Sequence, residues 1–148
     1  MPRASGNTQD ASFSDAVQHL EKAQEFLEVA VESLSLDRTN AAYSLAVHAA
    51  IQASDVICAI KLRKRSASTA HNDAVDLLAS VGPKEKNLAQ KLKRLLANKT
   101  RAEYDLTPVS STHADEAVRN AEQLVQRAAI LVAQAKPTPK EGPSTSTS

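Results

Sequence analysis

The chain of 148 residues contains three glycines, no tryptophan, two tyrosines, two phenylalanines and one cysteine. A single cysteine, Cys58, excludes an intramolecular disulfide and any cysteine-based metal cluster. It stands among Val56, Ile57, Ala59 and Ile60, the setting of a buried, inert thiol. With glycine scarce and 26 alanines present, the composition argues for an all-helical protein, because alanine has the best intrinsic helix propensity. Aromatics are 3% of the residues, so aliphatic and alanine packing must supply the core. No stretch approaches the roughly 20 apolar residues of a membrane span. The first residues, "MPRASGNTQDASFSD", hold no apolar run of the kind a secretory signal needs. A cytoplasmic protein with no membrane contact is expected. Hydrophobic residues at 42% and charged residues at 24% suit one soluble globular domain.

The usual signatures of catalysis are also missing. There is no glycine-rich phosphate loop, no histidine pair at metal spacing and no nucleophile elbow. The four histidines, His19, His48, His71 and His113, are dispersed, and a lone histidine is more often structural. No cofactor and no metal are expected.

What is present is a segregated charge pattern. The net charge is +1, yet Phe13 to Asp37 carries six acids and one base, Lys22. Lys61 to Arg101 carries eleven bases against three acids, a local balance of +8. Such a map can give a helical domain one acidic and one basic flank.

Hydrophobic periodicity divides the chain into five helical segments. In "SFSDAVQHLEKAQEFLEVAVESLSLD", Ser14 can cap a helix with Val17, Leu20, Leu27, Val31 and Leu34 on one face. Glu21, Glu25, Glu28 and Glu32 then form a solvated opposite face. The second helix, "DRTNAAYSLAVHAAIQASDVICAIKLRKRS", has Thr39 or Asn40 as cap and is small or apolar almost throughout, so it is central. Its polar series Ser44, His48, Gln52 and Asp55 makes one stripe. That stripe lines a cleft or subunit contact, or it simply faces water. "LRKRSASTAH" is a basic connection, and a short helix starts at His71 and stops at Gly82-Pro83. The fourth helix runs from Lys84 to about Tyr104, with Leu88, Leu92, Leu95 and Leu96 inward and Lys91, Arg94, Asn98 and Arg101 on a ridge. The fifth runs from about Ser111 to Ala135, with Ala117, Ala121, Leu124, Val125, Ala128, Leu131 and Val132 inward. These segments predict an all-α, antiparallel four- to five-helix up-and-down bundle over residues 14–135. Disordered tails are expected at 1–13 and 136–148.

The basic ridge carries the functional signal of the residues themselves. Lysines and arginines in a row can contact successive phosphates, an attraction that is sequence-independent and salt-sensitive. Lys61, Arg63 and Arg65 extend it, with few acids nearby. A solvated helix face is the plain alternative.

The order of these pieces resembles the HEPN domain, the higher eukaryotes and prokaryotes nucleotide-binding superfamily. The resemblance rests on the acidic first helix, on "AAYSLAVHAAIQASDVICAI", on "AHNDAVDLL", on "TRAEYD" after a basic fourth helix, and on "ADEAVRNAEQLVQRAAILV". It implies a helical bundle that commonly forms a homodimer through its central helices. It also implies kinship with ribonucleases, often toxins or defence components paired with a nucleotidyltransferase antitoxin. Their site is an arginine followed four to six residues later by a histidine, commonly with a tyrosine two residues beyond.

This chain departs from that motif. Placing Tyr104 on the family tyrosine puts Ala102 where the histidine belongs and Asn98 where the arginine belongs. Alanine cannot move a proton, so ribonuclease activity does not carry over. The expectation is an RNA- or nucleotide-binding protein without hydrolysis, in a bacterial toxin–antitoxin or defence-type setting. Arg101, Tyr104, Lys91, Arg94 and Lys99 would line the binding region, faced by His48 and Asp55 from the second helix. Tyr104 would be the residue modified by a partner nucleotidyltransferase. Two other readings stand beside it: a protein-docking bundle with no nucleic-acid ligand, and a ribonuclease using His48 or His113.

Overall fold

A computed structural model of the chain describes residues 8–67, 71–99 and 106–135. These form five helices and two three-residue strands. In chain order they are β1 (Thr8–Asp10), α1 (Phe13–Ser35), α2 (Thr39–Leu62), β2 (Lys64–Ser66), α3 (His71–Ala79), α4 (Pro83–Ala97) and α5 (Ser111–Gln134). The fold is the all-α bundle that alanine content and periodicity predict.

Its N-terminal boundary lies earlier than residue 14. β1 pairs antiparallel with β2, Thr8 opposite Ser66 and Asp10 opposite Lys64. The Ala11 N–H then donates to the Arg63 carbonyl at 3.0 Å, and Ala11 is buried. Sequence reading missed this pair because three-residue strands have no period to detect, and the partner lies more than fifty positions away. Helix α1 is capped by Ser12 and not by Ser14. The Ser12 hydroxyl accepts from the Asp15 N–H and the Asp15 carboxylate accepts from the Ser12 N–H, each at 3.0 Å. The aspartate at the third helical position completes a reciprocal box that a serine at 14 could not.

On α1 the completely buried residues are Ala16, Ala23 and Ala30, seven apart, with Leu20, Leu27 and Leu34 half-buried around them. Val31 faces solvent at 43% exposure, against the expected inward position. Glu21, Glu25, Glu28 and Glu32 are exposed. Neither Thr39 nor Asn40 caps α2, whose N-cap position is held by Arg38 without a side-chain bond. The reversals after α1 and α2 place Asp37 (φ 61°) and Arg63 (φ 59°) in the left-handed region. This glycine-poor chain makes both turns with residues carrying a Cβ, which is less favourable than glycine there.

Helix α2 is the centre. Twelve of its residues are buried, Ala42 to Ala59. By length and composition it could cross a membrane, which corrects the expectation that no segment could; here over half of that stretch is buried inside the bundle. Uninterrupted apolar runs miss such a helix, because isolated polar residues punctuate an otherwise apolar sequence. Cys58 is 2% exposed, and burial above all pushes its thiol up to about 12.

α1 runs antiparallel to α2, while α5 runs parallel to it. The Asn40 Oδ1 at the start of α2 accepts from the Val109 N–H just before α5, at 2.9 Å. α4 runs the opposite way: the Tyr43 hydroxyl donates to the Leu95 carbonyl at 3.0 Å, and Arg127 Nε donates to Glu85 Oε2 at 2.9 Å. Half of the buried hydrophobic side chains among the described residues are alanines, which lets neighbouring helix backbones approach closely.

Candidate functional site

Three helix ends meet at one end of the bundle: the start of α2, the end of α4 and the start of α5. They enclose a cavity of about 340 Å³. Its fixed wall comes from Tyr43, 5% exposed, whose hydroxyl is bound to the Leu95 carbonyl. Burial pushes the Tyr43 phenol up to about 12, with Asn98 bonding to it in the opposite sense and Glu116 adding to the rise. A phenol held neutral in this way orders the wall and does not exchange protons near neutral pH.

The other wall is a single row on α5. His113, Glu116, Ala117 and Asn120 stand at intervals of three, four and seven, so all four line the cavity. Ser110 starts the helix, its hydroxyl accepting from the His113 N–H at 3.1 Å and its carbonyl from the Ala114 N–H at 2.9 Å. The N–H groups of Ser111 and Thr112 find no acceptor among the described residues, leaving partial positive charge at the cavity's rim. From α4 come Arg94, Leu95 and Asn98; the Asn98 amide also donates to the Arg94 carbonyl at 3.2 Å.

Two cationic groups, the exposed Arg94 and the helix terminus, therefore share one concave space with an exposed imidazole. Among the described residues Glu116 is the only acid on its lining. Asn120 differs from the rest. It is 8% exposed, lines the cavity, and makes no hydrogen bond among the described residues. Its amide atoms are not sealed off, since the buried side-chain polar atom without a partner among the described residues is Ser66 Oγ, so the Asn120 amide opens onto the cavity.

Of the residues expected from sequence, Arg94 is in this cavity. Lys91 lies half-buried on α4, one turn before Arg94, and does not line it; Lys99 lies just beyond α4, also half-buried and off the lining. Arg101 and Tyr104 lie outside the described residues. His48 and Asp55 do not face Arg94, which corrects their placement. They lie 5 and 12 residues beyond Tyr43, on a different side of α2 at about 100° per residue, and Asp55 sits some 18 Å further along the axis.

The α2 polar stripe instead borders α1 and stays partly open to solvent: His48 is exposed, and Ser44, Gln52 and Asp55 are half-buried. His19 Nδ1 is 2.7 Å from Gln52 Oε1, and the Phe26 and His48 rings are 5.7 Å apart. Burial pushes the Asp55 carboxyl up to about 6, while the charges of His19 and Arg65 pull it down. A carboxyl raised from 3.8 to about 6 binds its proton more tightly in the folded chain, so its contribution to stability falls as pH rises between those values. Asp55→Asn should therefore stabilise the protein at pH 7.5 by on the order of 2 kcal/mol and change little at pH 3.5. Urea unfolding of both proteins at the two pH values checks this; an equal shift at both would remove the carboxylate from the explanation.

Sequence reading passed over Tyr43, Glu116 and Asn120, and His113 entered it only as an alternative ribonuclease histidine. One signal for Asn120 was legible: it interrupts the inward alanine and leucine row of Ala117, Ala121 and Leu124 with an amide. Among the described residues no group of three His, Cys, Asp or Glu side chains is placed to hold a metal ion. No protein-family model and no curated protein matches the chain.

Proposed function

We propose that the chain is a HEPN-like, cytoplasmic RNA- or nucleotide-binding protein, and that the cavity between α2, α4 and α5 is its binding site. The observation that carries this reading is the shared space of Arg94, His113 and the start of α5, which Ser110 caps at the His113 N–H alone. Each is suited to a phosphate oxygen: the guanidinium through its planar donors, the helix start through free N–H groups and its dipole. The surrounding +8 segment adds long-range attraction for a polyanion. Homodimerisation, a nucleotidyltransferase partner and a role in a toxin–antitoxin or defence-type system belong to the same reading through the HEPN resemblance.

The test is the fluorescence anisotropy of a labelled single-stranded RNA titrated at two salt concentrations. Binding should weaken steeply with salt. Arg94→Ala should weaken it by about tenfold at low salt and lower the salt slope by about one. Absence of binding at low salt, or an Arg94→Ala protein indistinguishable from the parent, would overturn the reading.

A second reading is favoured by one fact, that His113 lies in the same cavity as Arg94. An imidazole beside a phosphate-holding arginine can take the proton of an RNA 2′-hydroxyl as it attacks the adjacent phosphorus and the bond to the 5′-oxygen breaks. Fragments ending in 2′,3′-cyclic phosphate, lost in His113→Ala, would establish cleavage; intact RNA after prolonged incubation leaves a binding protein.

A further inference from the structure

The last turn of a helix has carbonyls that the helix itself cannot satisfy, and such a turn frays unless other donors hold it. In α4 that turn carries Arg94, and three of its carbonyls each meet a different donor. The Arg94 carbonyl accepts from the Asn98 side-chain amide at 3.2 Å, and the Leu96 carbonyl from the Asn98 backbone N–H. The Leu95 carbonyl accepts from the Tyr43 hydroxyl at 3.0 Å, a donor 52 residues away on α2. Asn98 also bonds to the Tyr43 phenol, so one hydroxyl holds the turn twice. The tyrosine is a firm anchor: its ring is buried, and an aromatic side chain has few rotamers to lose. Leu95 is 2% exposed, so without that hydroxyl its carbonyl would be buried with no donor from α2.

Resting on the proposed binding function, we infer that Tyr43 is a positioning residue: its hydroxyl ties the last turn of α4 to α2 and thereby aims Arg94 into the cavity. Arg94 is exposed and its side chain is long, so where the guanidinium points depends on where the backbone beneath it is held. That backbone lies inside the network, because the Arg94 carbonyl is itself one of the acceptors. Phenylalanine at this position would fill the same space and keep the apolar contacts. It would release the Leu95 carbonyl and deprive Asn98 of its partner on α2. Burial keeps the phenol protonated, so the tie is the same at any pH near neutrality.

A double-mutant cycle on the full chain tests this, with the parent, Tyr43→Phe, Arg94→Ala and the double variant titrated into single-stranded RNA at two salt concentrations. Tyr43→Phe should weaken binding about fivefold at low salt, the worth of one hydrogen bond. It should also move the salt slope toward that of Arg94→Ala, because the contact it disturbs is a phosphate contact. In the Arg94→Ala background the same change should have no further effect, since the group it positions is gone. Amide hydrogen exchange in Tyr43→Phe should quicken about fivefold in the last turn of α4 and stay unchanged in α1. A tyrosine that only stabilised the fold would weaken binding equally in both backgrounds and leave the salt slope alone. Should Tyr43→Phe fail to fold, Asn98→Ala removes the other tie of the same turn and is read in the same way. Binding by Tyr43→Phe equal to the parent, or an additive loss in the double variant, overturns the positioning role and leaves RNA binding standing. A parent that binds no RNA ends the proposed function, and this role with it.

Discussion

Replacing Arg127 with methionine should destabilise the protein by about 3–5 kcal/mol, the range found when one partner of a buried ion pair is removed. Glu85 is 3% exposed and its carboxylate accepts from Arg127 Nε at 2.9 Å, with the Arg127 side chain 21% exposed. Its remaining support is the first turn of α4, where Gly82 holds the N-cap position and Pro83 begins the helix. A Cβ at position 82 would stand 3.1 Å from Glu85 Oε1, a tight approach to which the carboxylate would have to yield by a few tenths of an ångström. Methionine keeps most of the aliphatic volume of arginine, so the loss reports the stranded carboxylate more than lost packing. An unpaired buried carboxylate binds a proton more readily, so the deficit should shrink as pH is lowered. Replacing both residues, Glu85→Leu with Arg127→Met, should recover much of the loss. Urea unfolding of the three proteins at pH 4.5 and 7.5 measures all of this. A single-variant deficit under 1 kcal/mol, unchanged with pH, would mean that water already solvates Glu85.

Leu124→Ala should cost about 3–5 kcal/mol, the upper part of the range for large-to-small changes. The reason lies in its neighbourhood. Leu124 is completely buried on α5, in a core whose other members are half alanine. The penalty for such a truncation depends on how far the surroundings relax into the space. Alanines have no rotamers with which to do so, and their methyl groups are fixed to helix backbones already in close contact. Most of the cavity should therefore persist. Ile130→Ala on the same helix, where the side chain is 45% exposed, should stay within about 0.5 kcal/mol and serves as the reference. Equilibrium unfolding gives both numbers. A Leu124→Ala cost near 1 kcal/mol would show that the helices can shift inward.

Much of this architecture is determined by the sequence alone. Alanine content with almost no glycine specifies helices, and the 3.6-residue period places them: the inward leucines of α4 and the alanine and leucine row of α5 are buried as the spacing predicts. The restart at Gly82-Pro83 is equally local, because a proline at the first helical position declares itself without a partner. Local interactions of this kind depend on residues within one or two turns, and a single chain displays them.

Tertiary structure decided the rest. How far the polar stripe of α2 met solvent, a cleft or another helix depended on which neighbour bordered it; α1 does, with His19 engaging Gln52, while His48 stays exposed. The antiparallel strand pair joins residues 8–10 to 64–66, an association that no local period announces. The candidate site was only partly legible for the same reason. Arg94 stood out on a basic ridge, but its companions come from two other helices, Tyr43 on α2 and His113, Glu116 and Asn120 on α5. A site made where three helix ends converge is set by crossing geometry, which depends on contacts distant in the chain. The amide of Asn120 within an apolar row was a further trace of that site in the sequence, and only the fold gave it a cavity to face.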